Sequence, residues 1–482
     1  MLSLREKATS GIKWSAISQV GRQVMQFFTT AVLARLLSPD DFGLLGMATI
    51  VIGFVNLFKD LGTSSAIIQK SEISDSLVHS IFWVNVAFGI AGTLVLLLVA
   101  PLIAAFYSEP RLIPVLRLLS LTFGISGLSI LQKALLEKDL AFNALAKIEL
   151  AAVVLGALIG IGMAFMGLGV WSLVYQAIVV AGVTTLLTLG AIRWRPKLFF
   201  SLKDIQQVSS YSLNLTGFNI FNFFARNADY LLIGKFLGTE ALGYYTLAYR
   251  LMLYPLQNIS TVITRVMFPT FVQIQNDNVR FKQAYLKVVS TIALVTFPMM
   301  MGLLVLSEPF VMTFFGDKWQ PVILLLMILS PVGLLQSIVT TVGTIYTAKG
   351  RTDWMFIWGV GSGLVVTTAI AIGLRWDIIG VATAYAIAVA VLSYHNFAIP
   401  FQLIELRVRN MLRVLWRPFM VSICMLAVLV GLKMWILPVT FAPSVVLAVL
   451  VVSGLTSYLL ASWLLNQEQM SSLLTTFGCQ KN

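Results

Sequence analysis

Leu37-Ser38-Pro39-Asp40-Asp41-Phe42-Gly43 returns 200 residues later as Leu237-Gly238-Thr239-Glu240-Ala241-Leu242-Gly243, with Arg35 ahead of the first copy and Lys235 ahead of the second. Pro101, Phe106, Tyr107 and Glu109 then match Pro309, Phe314, Phe315 and Asp317 at an offset of 208, and Gly169-Val170 matches Gly380-Val381 at 211. Each match is short, but their order and slowly growing offset point to two copies of one unit. If each copy crosses a membrane an even number of times, the two share one orientation and are related by an axis along the membrane normal. Two such lobes meeting at a midplane site are what alternating access requires.

That lipid is the solvent follows from composition. The 482 residues are 58% hydrophobic and 11% charged, with a mean hydropathy of +0.90, whereas a soluble domain carries roughly 25% charged residues. Apolar stretches bounded by charge, Pro or Gly predict about fourteen transmembrane helices, near 12–36, 42–58, 77–106, 113–133, 144–166, 169–192, 208–237, 241–271, 284–306, 321–347, 354–374, 378–402, 418–437 and 443–465. A membrane β-barrel needs alternating segments of about ten residues, and these runs are continuous. The expected fold is all-α and polytopic, with two pseudo-symmetric six-helix lobes followed by two further helices. The expected divisions are an N-terminal lobe over 1–193, a basic linker over 194–207, a C-terminal lobe over 208–404, and the last two helices with the tail over 405–482.

The 33 Lys+Arg against 20 Asp+Glu, a formal +13, are dispersed among short loops rather than gathered in a patch with stacking aromatics, so nucleic acid is not expected as a partner. Summed over alternate connections, 22 cations fall on one side, including Arg193, Arg195, Lys197 and Lys203, and seven on the other: Arg35, Arg111, Arg117, Lys235, Lys318, Arg375 and Lys433. The positive-inside rule then places both termini and the basic linker in the cytoplasm. No cleaved signal peptide is expected, because Gln19, Arg22, Gln23 and Gln26 interrupt the first apolar segment. Cys424 and Cys479 supply neither a disulfide framework nor a Cys-rich metal site.

Chemistry in such a chain shows where polar groups enter the helices, since a central Arg costs at least about 2.5 to 3.5 kcal/mol unless it meets water or a partner. Arg22, Arg226, Arg250 and Arg265 are so placed. Ser15, Gln19, Arg22, Gln26 and Thr29 form one stripe on the first helix; Asn219, Asn222, Arg226 and Asp229 form another on the seventh; Arg250, Tyr254, Gln257, Thr261 and Thr264 form a third on the eighth. Arg226 and Asp229 could instead be a closed structural ion pair, Arg265 could snorkel, and the first helix could lie in the headgroup plane. Arg22 has no carboxylate on its own helix, which favours a wet, anion-attracting cavity. Guanidinium groups beside amides and aromatics suit a substrate carrying phosphate and sugar. Catalysis finds no support: His79 and His395 are the only histidines and read as membrane-interface residues, and Gly234-Lys235 is followed by Phe236, so no phosphate-binding P-loop exists. No cofactor is expected, and coupling to a proton or sodium gradient is compatible with the sequence.

Gly11-Ile12-Lys13-Trp14-Ser15, Ala34-Arg35-Leu36-Leu37-Ser38-Pro39-Asp40-Asp41-Phe42-Gly43, Asp60-Leu61-Gly62-Thr63-Ser64-Ser65-Ala66-Ile67-Ile68-Gln69 and Asp229-Tyr230-Leu231-Leu232-Ile233-Gly234 followed by Leu242-Gly243-Tyr244-Tyr245 resemble the Wzx-type lipid-linked oligosaccharide flippases of the multidrug/oligosaccharidyl-lipid/polysaccharide superfamily, with the colanic-acid exporter branch nearest. The resemblance implies a two-lobed bundle in the bacterial inner membrane that moves undecaprenyl-diphosphate-linked oligosaccharide repeat units from the cytoplasmic to the periplasmic leaflet, beside a polysaccharide polymerase and export machinery. It also implies that cavity cations hold the lipid diphosphate, for which Arg22, Arg226 and Arg250 are the candidates. A cation-coupled multidrug antiporter on the same fold, relying on Asp229, is the nearest alternative. A membrane glycosyltransferase or polymerase ranks lower, since no predicted outer connection exceeds roughly 15 residues.

Overall fold

The computed structural model describes residues 4–58, 67, 74–192, 194–201, 222–224, 226–435 and 441–465, with the side chains of 4–17, 257–266 and 435 also left aside. Among the described residues there are sixteen α-helices, two short 3-10 turns and no strand. Among the described residues eight helices are long and apolar enough to cross a membrane, or nine if a pair bent by 43° counts as one span. The fourteen expected crossings are therefore not all met by length and hydropathy. Most of the seventh stretch lies outside the described residues, the first carries the polar stripe, and two late helices run together as one 51-residue apolar segment.

The chain separates into two compact units, 1–243 and 244–482. The first contains α1 (Leu4–Leu36), α2 (Pro39–Asn56), α3 (Asp75–Tyr107), the broken pair α4 (Leu112–Gly127) and α5 (Ile130–Lys138), the hairpin α6 (Phe142–Phe165) and α7 (Val170–Ala191), the short α8 (Ala228–Phe236), and the start of α9 (Gly238–Gln273). Small residues set the spacing, as expected where lipid offers no hydrophobic driving force between helices. A Cβ at Gly89 would stand 2.7 Å from the Phe123 carbonyl oxygen, and one at Gly127 2.8 Å from that of Asn85. Thr93 joins the same two helices by donating to the Ser120 carbonyl at 2.8 Å.

Ser38 starts α2. Its hydroxyl accepts the Asp41 N–H while the Asp41 carboxylate accepts the Ser38 N–H at 3.0 Å, a reciprocal cap with Pro39 in the first turn. The repeat becomes spatial at this point. Added to Gly43, a Cβ would stand 2.5 Å from the Thr239 carbonyl carbon; added to Gly243, one would stand 2.8 Å from the Pro39 carbonyl carbon. Residues 39 and 239, and 43 and 243, thus exchange roles across a local two-fold, and backbone touches backbone with no side chain between.

At the other end of α3, the linker is tied down. Lys197 donates its N–H to His79 Nδ1 at 3.1 Å, Trp83 Nε1 donates to the Lys197 carbonyl at 2.8 Å, Ser201 N–H reaches Ser80 Oγ at 2.9 Å, and Trp194 stacks on the His79 ring. Arg195 donates to the Leu189 and Ile192 carbonyls at the end of α7, where a cation complements the helix dipole. His79 is a structural acceptor here, and replacing it with Leu strands the Lys197 N–H at a cost of about 1–3 kcal/mol. Trypsin is expected to cut after Lys197, which Leu198 follows, several times faster in His79→Leu than in the parent; equal rates would show that the tie is idle.

The second unit repeats the order of elements. After α9 come the long α10 (Asn278–Phe314), a second broken pair α11 (Gln320–Val339) and α12 (Val342–Ala348), the hairpin α13 (Thr352–Gly373) and α14 (Asp377–Gln402), then α15 (Val408–Trp435) and α16 (Pro443–Leu465). α3 carries Pro101 and α10 carries Pro309, as the matched offsets require. Its core gathers Phe271, Phe281, Tyr285, Ile292, Phe297, Ile345 and Phe401. Gly373 and Gly380 let the hairpin close, each occupying the position a Cβ on the other would need. α15 and α16, outside the repeat, pack on α10 through Met301, Val305, Met425, Leu429 and Leu450.

Candidate functional site

In the first unit Gln19 and Arg22 of the α1 stripe lie together, Ser15 falls among the side chains outside the described residues, and the central cation is not alone. Arg22 Nη1 lies 2.7 Å from Glu149 Oε2 on α6, and Nη2 donates to Gln19 Oε1 at 2.6 Å. The Arg22 and Glu149 side chains remain 29% and 32% exposed, so the pair is neither dry nor bathed in bulk water. Lys133 on α5 feels the charges of Glu149, Arg22 and Glu137, which makes a four-member charged cluster where α1, α5 and α6 meet. Gln26, one turn beyond Arg22, is exposed, and Thr29 is buried with its hydroxyl on the Met25 carbonyl. The sequence stripe therefore brings Gln19 and Arg22 together and leaves Gln26 open.

The expected stripe on the seventh helix is interrupted. The helix breaks at Asn227, whose side chain turns back to the Phe223 carbonyl, and α8 begins at Ala228. Arg226 before the break is exposed and Asn222 half-buried, whereas Asp229 beyond it is buried with Oδ1 accepting the Tyr230 N–H. Arg226 and Asp229 thus sit in different surroundings. Phe223 and Phe224, next to Arg226, pack on Phe54 of α2 with centroids 6.0 and 5.2 Å away. Asn219 lies outside the described residues.

In the second unit Arg250 is exposed on α9 and Tyr254 half-buried one turn on; the Gln257 side chain lies outside the described residues. Beside Arg250, a network absent from the sequence reading appears. Tyr249 and Tyr385 hydroxyls lie 3.3 Å apart, and Gln336 donates its amide to Tyr385. It brings α9, α11 and α14 to one polar point. Its one sequence signal is Gln336 inside an apolar run.

At the end opposite the linker, Arg111 bridges Asp40 at 2.6 Å and Glu109 at 2.8 Å, and Thr239 donates to Asp40. Burial pushes the Asp40 carboxyl up, but the hydrogen bonds from Arg111 and Thr239 outweigh it and hold it below its ordinary value; Arg111 holds Glu109 down as well. Carboxylates lowered on folding stabilise the fold above their unfolded values, and that contribution fades as pH falls through the folded values. These side chains are partly exposed, so the contribution amounts to roughly 0.5–1 kcal/mol. Thermal unfolding in detergent is expected to show Arg111→Gln melting earlier than the parent near neutral pH, the gap closing on acidification; a gap that widens in acid would refute the assignment.

Long apolar helices with glycine contacts, an internal repeat, and guanidinium groups left partly accessible within membrane-length helices define a multi-pass transporter. Its fold is that of the lipid II flippase MurJ in an inward closed conformation, with a TM-score of 0.76 covering 95% of this chain and 100% of that one at 17% identity. An inward-facing MATE-family multidrug transporter of the MOP superfamily is similar over 81% of this chain and 98% of its own at TM-score 0.63 and 17% identity.

Residues 32–324 match the family described as "Polysaccharide biosynthesis protein", and the chain belongs to that family. Among similar proteins, the lipopolysaccharide biosynthesis protein WzxC of Escherichia coli (strain K12) is 33% identical over 89% of this chain and 88% of its own. The teichuronic acid biosynthesis protein TuaB of Bacillus subtilis (strain 168) is 29% identical over 95% and 96%, and the succinoglycan biosynthesis transport protein ExoT of Rhizobium meliloti (strain 1021) is 30% identical over 76% and 74%.

Proposed function

We propose that the protein is a flippase that carries undecaprenyl-diphosphate-linked oligosaccharide repeat units across the bacterial inner membrane by alternating access, for polysaccharide export. The observation that carries this reading is Arg22. A guanidinium within a membrane-length helix, about a third exposed and already holding a carboxylate and an amide, is equipped to hold a diphosphate and the sugar beside it. Arg226 with Asn222 and its neighbouring phenylalanines, and Arg250 with Tyr254 and the Tyr249–Gln336–Tyr385 network, offer further cationic and hydroxyl-rich surface. The protein moves its substrate without chemical change, and an ion gradient rather than ATP drives it, in keeping with a sequence that has no P-loop. Both termini are cytoplasmic, and the partners on the far leaflet are a polysaccharide polymerase and its export machinery. Reconstituted into liposomes, the full-length protein is expected to move an undecaprenyl-diphosphate-linked oligosaccharide between leaflets, read by enzymatic accessibility of the sugar from outside. Absence of that movement, with dye efflux that depends on Asp229 instead, would replace this reading by multidrug antiport.

A further inference from the structure

Both terminal nitrogens of Arg22 are engaged, Nη1 by Glu149 and Nη2 by Gln19. A phosphate seeking the two-pronged grip of a guanidinium therefore finds one prong held by a carboxylate, a group of like charge, and the other by a neutral amide. Glu149 sits on α6, packed against α1, within a stretch that is otherwise nearly apolar. The pair is open enough for an incoming anion to reach. Among the described residues Glu149 pairs with Arg22 from α1 and interacts with Lys133 from α5, which in turn feels Glu137; Lys147 on α6 itself is exposed, and α7 brings no charge. A carboxylate displaced from Arg22 thus has a second cation, Lys133, within electrostatic reach.

We infer that Glu149 is a built-in competitor for the phosphate seat on Arg22, a positioning residue that holds the guanidinium in the empty carrier, yields it to a lipid diphosphate, and reclaims it to expel the substrate. The inference rests on the flippase reading. It answers a problem every carrier of a multiply charged anion faces: a cation strong enough to capture the substrate would retain it, unless an internal anion waits to take its place.

The test is binding of undecaprenyl diphosphate to the full-length protein in phosphatidylcholine nanodiscs, with inorganic diphosphate in parallel, alongside the transport rate in liposomes. Glu149→Gln is expected to bind undecaprenyl diphosphate roughly three- to tenfold more tightly than the parent, yet to transport more slowly because release becomes limiting. Glu149→Asp, which keeps the carboxylate, should restore the parent affinity. Parallel changes with inorganic diphosphate assign the competition to the phosphate alone; changes confined to the lipid assign it to the phosphate as the polyprenyl chain presents it. A Glu149→Gln protein of parent melting temperature that binds equally or more weakly overturns the inference. If that variant does not fold, a folded Glu149→Ala protein that binds no more tightly than the parent overturns it equally. A parent that binds neither probe at any pH sinks the flippase reading itself.

Discussion

Gly43→Ala is expected to abolish export and to cut the amount of folded protein in the membrane severely. The added Cβ would stand 2.5 Å from the Thr239 carbonyl carbon, and the obstacle is backbone, which cannot swing aside as a side chain tip does. Relief requires α2 and the start of α9 to separate, and overpacking of this kind costs about 3 kcal/mol or more when the wall is rigid. Separation also strains the neighbouring Thr239–Asp40–Arg111 links. Gly243→Ala, the same change seen from the other repeat, is expected to match it because the geometry is reciprocal. Gly359→Ala is the control, since nothing lies within 4 Å of a Cβ there. Immunoblotting of membranes together with surface polymer measures both consequences, and normal levels with normal export in Gly43→Ala would refute the crossing.

The second large effect is expected at Arg22. Arg22→Ala removes the group proposed to grip diphosphate and leaves Glu149 without its ion-pair partner, with Lys133 as a nearby cation among the described residues. Truncating one member of a desolvated charge pair costs about 2–5 kcal/mol, and partial exposure puts this one at the lower end. Export is expected to fall roughly thirtyfold. Arg22→Lys should recover part of it, because a point charge replaces the fork. The double variant Arg22→Ala, Glu149→Gln separates stability from function: with no stranded charge its melting temperature should return toward the parent, while export stays lost. Full export by a stable Arg22→Ala protein would remove this arginine from the mechanism.

How much of this was legible in advance depended on sequence distance. The repeat at 37–43 and 237–243 predicted two related halves, and the structure turns the same residues into a reciprocal contact. The stripe of Gln19 and Arg22 was legible because helical periodicity is local. Glu149 was not, since a counter-charge on another helix leaves no periodic trace, and the sequence reading left Arg22 without a carboxylate. The Asn222–Arg226–Asp229 face failed where the helix itself failed, at Asn227; periodicity assumes an unbroken helix and says nothing once the chain turns. The network of Tyr249, Gln336 and Tyr385 joins three helices, and its members read individually as ordinary interface residues.

The Arg22–Glu149 pair also bears on how the chain is made. Arg22 leaves the ribosome 127 residues before its counter-charge, which at about 5–20 residues per second is a wait of roughly 6 to 25 seconds. Throughout that interval the first helix carries an uncompensated guanidinium, which penalises its release from the translocon into lipid. Its final insertion is then an event of late synthesis, conditional on the arrival of α6. Synthesis arrested before residue 149 should leave the first helix at the insertion machinery, where crosslinking would find it.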